Sequence, residues 1–97
     1  ALEQGSDLEK AFATVVLVFN NYADTTGKLT RAETKNLLQT QFWHFIQGQE
    51  NKLIYQEIIS DLNEKPEDKI DFEDFMTILV ILTLTSDLLE EITNNET

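Results

Sequence analysis

Asn63-Glu64-Lys65-Pro66-Glu67-Asp68-Lys69-Ile70-Asp71-Phe72-Glu73-Asp74 lies between two apolar stretches, Leu53–Leu62 and Phe75–Ile92. It has the length and the flanks of a calcium loop, with Ile70 at the place where two such loops join by a short β bridge. A loop of that kind presents oxygen at its first, third and fifth places, a backbone carbonyl at the seventh and a bidentate Glu at the twelfth. Its sixth place is Gly, for the sharp turn. Here the ligand places hold Asn63, Lys65, Glu67, Lys69 and Asp74, and Asp68 stands in place of the glycine. An ammonium at the third place repels the ion, and Asp74 is one methylene shorter than Glu. Pro66 biases Lys65 toward extended backbone. Asp68 is expected to be held in a left-handed conformation, at a cost of about 1–2 kcal/mol. The stretch therefore reads as a helix–loop–helix unit that keeps the scaffold and lacks the ligand ring, with Glu67 and Asp71 left as loose cation contacts.

Upstream, Tyr22 to Glu33 aligns as a second loop. Gly27 falls at the turn, Leu29 at the bridging place and Glu33 at the last ligand place, with Tyr22 first, Asp24 third and Thr26 fifth. Two carboxylates and a hydroxyl give weak calcium affinity at best, because ligand charge and site rigidity set the dissociation constant. The vestigial ligand places are thus Asp24, Thr26, Glu33, Asn63, Glu67 and Asp74, and no resident metal or other cofactor is expected. The spacing is the stronger signal. Leu29 and Ile70 are each followed four residues later by an acid, Glu33 and Asp74, on the first turn of a predicted helix.

Four helices frame the loops. Ser6 and Glu9 form a capping box for a helix to about Tyr22, with Leu8, Phe12, Val15, Phe19 and Tyr22 on one stripe. Thr30 and Glu33 open a second to about Gln41, with Ala32, Leu37 and Leu38 turned inward. Phe42 to Glu50 is a linker rich in aromatics, and Asn51 caps a third helix bearing Leu53, Ile54, Ile58, Ile59 and Leu62. Asp71 caps a long fourth helix ending near Ile92. Residues 1–5 are expected to be disordered and 93–97 to form a polar tail around a domain over 6–92. Within it the first unit covers about 6–41, the linker 42–50 and the second unit about 51–92. The fourth helix is apolar around most of its circumference: Phe72, Phe75, Met76, Leu79 and Leu82 lie on one face, Ile78, Ile81, Leu88 and Ile92 nearly opposite. Such a helix is buried on more than one side. A second copy of the chain is the simplest cover, and a central position within one monomer is the alternative.

Composition excludes several function classes. Eighteen acidic against seven basic residues give a formal charge of −11, which argues against binding nucleic acid or an anionic membrane through bulk charge. The chain has no cysteine, hence no disulfide, thiolate metal site or thiol chemistry, and this fits an intracellular protein. Ala1 in place of an initiator Met is read as a processed or truncated start, and no signal peptide is visible. One histidine, His44, is too few for a zinc site and reads as a surface imidazole. No nucleophile–base pair or phosphate-cradling glycine loop supports catalysis.

These residues together resemble the S-100 family of small dimeric EF-hand proteins. The resemblance covers about Ser6 to Ile92. It rests on Leu8-Glu9-Lys10-Ala11, Phe19-Asn20-Asn21-Tyr22, Lys28-Leu29-Thr30, Glu33-Thr34-Lys35-Asn36-Leu37-Leu38 and Ile70-Asp71-Phe72-Glu73-Asp74-Phe75-Met76. It implies an all-α, paired EF-hand, four-helix domain with a short two-stranded bridge, assembled as a symmetric homodimer. The family's usual first loop is longer. The length here matches its calcium-independent annexin-light-chain branch, whose loops are both degenerate. Gly5–Thr14, Leu37–Phe42 and Phe45–Asn51 are similar to the sentan-like branch, which implies a linker between membrane and microtubules at the tips of motile cilia.

By the same resemblance the first and fourth helices would form the dimer through Leu8, Phe12, Val15, Phe75, Leu79 and Leu82. An amphipathic partner helix would lie in a cleft at Phe42, Phe45, Ile46, Leu84, Leu88 and Leu89, although Phe42 and Phe45 could equally seal the core beneath the linker. At least one linker aromatic is expected to be partly exposed. The implied function is a non-enzymatic, calcium-independent adaptor, with no nucleic acid and only indirect membrane association. The alternative is a weak calcium sensor using Asp24, Glu33, Glu67, Asp71 and Asp74.

Overall fold

Two helix–loop–helix units, bridged by a pair of two-residue strands, make up residues 4–94, which the computed structural model describes. The first unit contains α1 (Asp7–Tyr22), β1 (Leu29–Thr30) and α2 (Arg31–Gln41). A short α3 (Trp43–Ile46) follows, then α4 (Leu53–Glu64), β2 (Lys69–Ile70), α5 (Phe72–Thr85) and α6 (Asp87–Asn94). The mostly helical, paired architecture is the one expected. Ala1–Glu3 of the expected N-terminal segment and Asn95–Thr97 of the polar tail lie outside the described residues. Thr93 and Asn94 continue α6.

The helix starts follow local chemistry. Ser6 Oγ accepts from Glu9 N at 3.2 Å while Glu9 Oε1 accepts from Ser6 N at 2.9 Å, a complete capping box that satisfies two backbone donors. Thr30 Oγ1 accepts from Glu33 N at 3.1 Å, and Asp71 Oδ1 from Asp74 N at 2.9 Å. Gly27 has φ +79°, the left-handed value that its turn requires.

Several details differ from expectation. Lys52, not Asn51, holds the cap position of α4, and its side chain makes no capping bond there because an ammonium has no acceptor to offer the backbone N–H groups. Asp68 is not left-handed: among the described residues only glycines have positive φ. The loop turns instead through a bond from Asp68 N to Lys65 O, with no glycine-like strain. Ala32 faces solvent, and Thr34 takes the inward place beside Leu37 and Leu38. The linker is partly helical. The long fourth helix breaks at Ser86, whose φ −77° and ψ 138° are extended. Ser86 Oγ then accepts from Leu88 N at 3.1 Å, starting α6 as Ser does at helix N-termini.

The core lies between the two units. Phe19, Leu29, Leu37, Leu38, Ile46, Leu62, Ile70, Phe75 and Leu82 are all buried. Phe19 packs edge-on against Phe72 at 5.1 Å and tilted against Phe75 at 5.2 Å. Burying each such side chain contributes about 1.5–3 kcal/mol. Phe75 and Leu82 therefore belong to the monomer's interior and present no surface to a second copy.

Candidate functional site

β1 and β2 pair antiparallel, Leu29 opposite Ile70 and Thr30 opposite Lys69, so the two loops lie side by side. In the first, Asp24 folds back on its own turn. Its Oδ1 accepts from Thr26 N at 2.8 Å, from the Thr26 hydroxyl at 2.5 Å and from Lys28 N at 3.3 Å. Its Oδ2 meets Lys69 Nζ of the second loop at 2.6 Å. The Lys69 ammonium, with the Thr26 hydroxyl next in weight, holds the Asp24 carboxyl well below the usual carboxylate range. In the second loop Asn63 Oδ1 accepts from Lys35 Nζ of α2 at 3.1 Å. Arg31 N donates to Asp68 O at 2.8 Å and Ala32 N to Pro66 O at 3.0 Å. Carbonyls of the second loop thus satisfy two of the backbone donors left over at the start of α2. Glu33, Glu67 and Asp74 are exposed. Among the described residues no three His, Asp or Glu side chains converge on a metal-sized site.

A polar lock joins the linker to the end of α5. Where the helix breaks, Ser86 N turns to Thr83 O and Leu89 N to Ser86 O, so the carbonyls of Leu82 and Thr85 lose their regular helical donors. Linker side chains supply replacements. Gln49, fully buried, donates Nε2 to Leu82 O at 3.0 Å and to Phe45 O at 2.7 Å, while its Oε1 accepts from Thr85 Oγ1 at 2.6 Å. Lys52 Nζ donates to Thr85 O and pairs with Asp87 Oδ1 at 3.1 Å. With each of its polar atoms partnered, Gln49 can be buried at little cost. The lock sets α3 against both α5 and α6.

An apolar groove of about 270 Å³ runs between α1 and α5. Ala11, Phe12 and Val15 line one wall, Met76, Leu79, Val80, Thr83 and Leu84 the other, and Phe42 closes one side. Phe12 and Val80 are each 51% exposed and Leu84 66%, so apolar surface remains uncovered in the single chain.

Comparison with known proteins bears on this geometry directly. Residues 8–49 match the S-100/ICaBP type calcium binding domain. Protein S100-A10 of Sus scrofa is 28% identical over 79 residues, covering 81% of this chain and 82% of the relative. The chain is thus similar to S-100 proteins, through the family match in its first half and the relative over most of its length. S-100 proteins are small EF-hand proteins, generally without enzymatic activity, that typically form dimers and bind target proteins.

Within the S-100 frame the expected residues fall in separate places. Leu8 and Phe12 are exposed on α1, and Val15 and Leu79 are half-buried in the groove, with Phe75 and Leu82 in the core beneath. Of the six residues expected in one target cleft, Phe42 and Leu84 line the α1–α5 groove. Ile46 is buried. Phe42 and Phe45 stack at 4.8 Å, both half-buried, while Leu88 and Leu89 are half-buried on α6. A depression lined by His44, Gln47, Asp87, Leu88 and Glu91 lies where α3 meets α6. Trp43 is exposed, which meets the expectation for the linker aromatics.

The sequence reading missed Gln49, Lys52 and Lys69 as organising residues. A lone Gln carries no burial signal, but the pair Ser86-Asp87 interrupting an apolar run is a helix-start signal that could have located the break and, through it, the need for donors.

Proposed function

We propose that this chain is a non-enzymatic, dimeric S-100 adaptor whose paired loops hold their geometry without calcium. The observation that carries the reading is the pairing of oxygens at former ligand places with lysines: Asp24 with Lys69 and Asn63 with Lys35. The donors present do not fit a calcium ion, which takes six to eight oxygens. Tyr22 opens one ring, Lys65 occupies the third place of the other, and Asp24 is already engaged on both oxygens.

The uncovered groove between α1 and α5 supports a second copy as its occupant, since it joins the two helices through which S-100 proteins dimerise by resemblance. Target binding falls to the linker and α6, where Trp43, Leu88, Leu89 and Ile92 offer an apolar strip to an amphipathic helix. The likeness of Gly5–Thr14, Leu37–Phe42 and Phe45–Asn51 to sentan supports an intracellular place at the tips of motile cilia, linking membrane to microtubules through a partner. No helix among the described residues is long and apolar enough to cross a membrane.

Sedimentation in chelator and in millimolar calcium tests the central reading. The expected result is one dimeric species in both, a monomer for Phe12→Glu in both, and no saturable calcium heat at micromolar concentration. A dimer that forms only with calcium, or a micromolar isotherm, would instead identify a calcium sensor.

A further inference from the structure

We infer that Lys69 is a tethered cation for the first loop: its ammonium stands where the charge of a divalent ion would be needed and ties that loop to the second. The inference rests on the calcium-independent reading and says what replaces the ion.

The geometry is specific. Lys69 lies on β2 directly opposite Thr30, so the antiparallel register fixes its backbone beside the first loop. From there its side chain reaches Asp24 at 2.6 Å, across 45 residues of chain. Asp24 sits at the third place of the first ring, where a metal-binding loop aims a carboxylate at the ion. Its other oxygen is filled from within the turn by Thr26 and Lys28, which orients the carboxylate and leaves one oxygen for a cation. The cation supplied is covalently part of the second loop. A calcium ion bridges ligands within one loop, whereas this ammonium bridges two loops, adding to the Leu29–Ile70 pairing instead of to the ring. Both side chains retain solvent access, Lys69 at 45% and Asp24 at 32% exposure, so the contact can be removed without opening the core.

The other cations of this region do not offer the same role. Arg31 is turned to Asp61 at 3.4 Å and Lys35 to Asn63 at 3.1 Å. Lys28 lies in the loop and bonds Asp24 through its backbone nitrogen. Lys69 thus combines the register, the reach and the partner.

The test uses the full chain in chelator, comparing wild type with Lys69→Gln and, as a matched loss of charge, Lys28→Gln. Carboxyl NMR should show Asp24 titrating below the ordinary range in wild type and in Lys28→Gln, and moving up toward it in Lys69→Gln. Amide exchange at Leu29 and Ile70 should quicken by up to about fivefold in Lys69→Gln alone, the ratio that an exposed ion pair of this kind is worth. Asp24→Asn, made separately and with Lys69→Gln, should give the same acceleration, with no further increase in the double variant.

A second arm adds millimolar calcium. Shifts at the Thr26 and Lys28 amides should require less calcium in Lys69→Gln than in wild type, because the resident cation has gone. Equal Asp24 titration in all three proteins, or equal calcium response with and without Lys69, overturns the tethered cation. Micromolar calcium binding by wild type overturns the calcium-independent reading, and the chelator arm still reports on Lys69 by itself.

Discussion

Gln49→Met is the substitution that separates the linker lock from ordinary packing. Met approximates the shape of the side chain and removes its amide, leaving two carbonyls without the donor they share. Phe45 O is only part-buried, so water can replace part of its loss, but Leu82 O is left with a single long contact from the Thr85 hydroxyl at 3.4 Å, because Ser86 N has turned to Thr83. The Thr85 hydroxyl is not stranded, since it already approaches Ile81 O at 3.2 Å. An unsatisfied buried polar group costs about 1–3 kcal/mol, so one nearly full and one partial loss give about 2–4 kcal/mol. A domain of this size has a total stability of about 5–15 kcal/mol. The melting temperature should fall by about 8–32 °C, at 4–8 °C per kcal/mol. The assay is urea unfolding at fixed protein concentration, followed by far-UV ellipticity and by emission of Trp43, the only tryptophan and a residue of α3. Trp43 should change at lower urea than the ellipticity, because the lock holds α3 to α5. Gln49→Glu keeps the acceptor for Thr85 and loses both donors, so it should destabilise at least as much. A Gln49→Met protein within about 0.5 kcal/mol of wild type, well inside the range for neutral surface changes, would refute the reasoning.

Two further outcomes follow from the first unit. Gly27→Ala should cost about 1–2 kcal/mol in thermal melts although no atom lies within 4 Å of the added Cβ, because the penalty comes from φ +79°; Gly27→Asn should cost less. A neutral alanine would mean that the turn can leave its left-handed conformation. Ser6→Ala should remove about 1 kcal/mol through loss of the α1 cap. Glu9 is held below its ordinary value of 4.5, first by the Ser6 backbone N–H and then by the Ser6 hydroxyl. A depressed carboxyl contributes stability that is present above its unfolded value and lost as pH falls through the folded one. Ser6→Ala keeps the backbone N–H, so only the part of the difference that comes from the hydroxyl on Glu9 should be present above about pH 4.5 and fade below it, read by urea midpoints at several pH values.

The parts of this fold that depend on nearby residues were legible in the sequence. Ser6 with Glu9, Thr30 before Glu33 and Asp71 before Asp74 mark three helix starts whose geometry is set within a turn. Leu29 and Ile70 fall at equivalent places of two loops, and their pairing follows. What could not be read depends on distant partners. Whether Phe75 and Leu82 turn to the interior or to a second copy is a question of which side of an all-round apolar helix meets α1 and the linker, and periodicity does not choose between faces. The lock needs Gln49 and Lys52 to meet carbonyls more than thirty residues away that exist only because the helix breaks. Lys69, which in its own loop stands at a place that asks only for a backbone carbonyl, has its side-chain role only once the strand register sets it beside Asp24.

The backbone of the second loop has a consequence for which changes the molecule can absorb. Pro66 O and Asp68 O complete the first turn of α2, a helix of the other unit, while Lys65, Glu67 and Asp68 point their side chains into solvent. Side chains there are therefore free to vary in charge and size at little cost. The number of residues is not free: removing one would shift both carbonyls and fray a helix more than thirty positions earlier in the chain. The loop acts as a spacer of fixed length, and each half of the molecule carries part of the other's secondary structure.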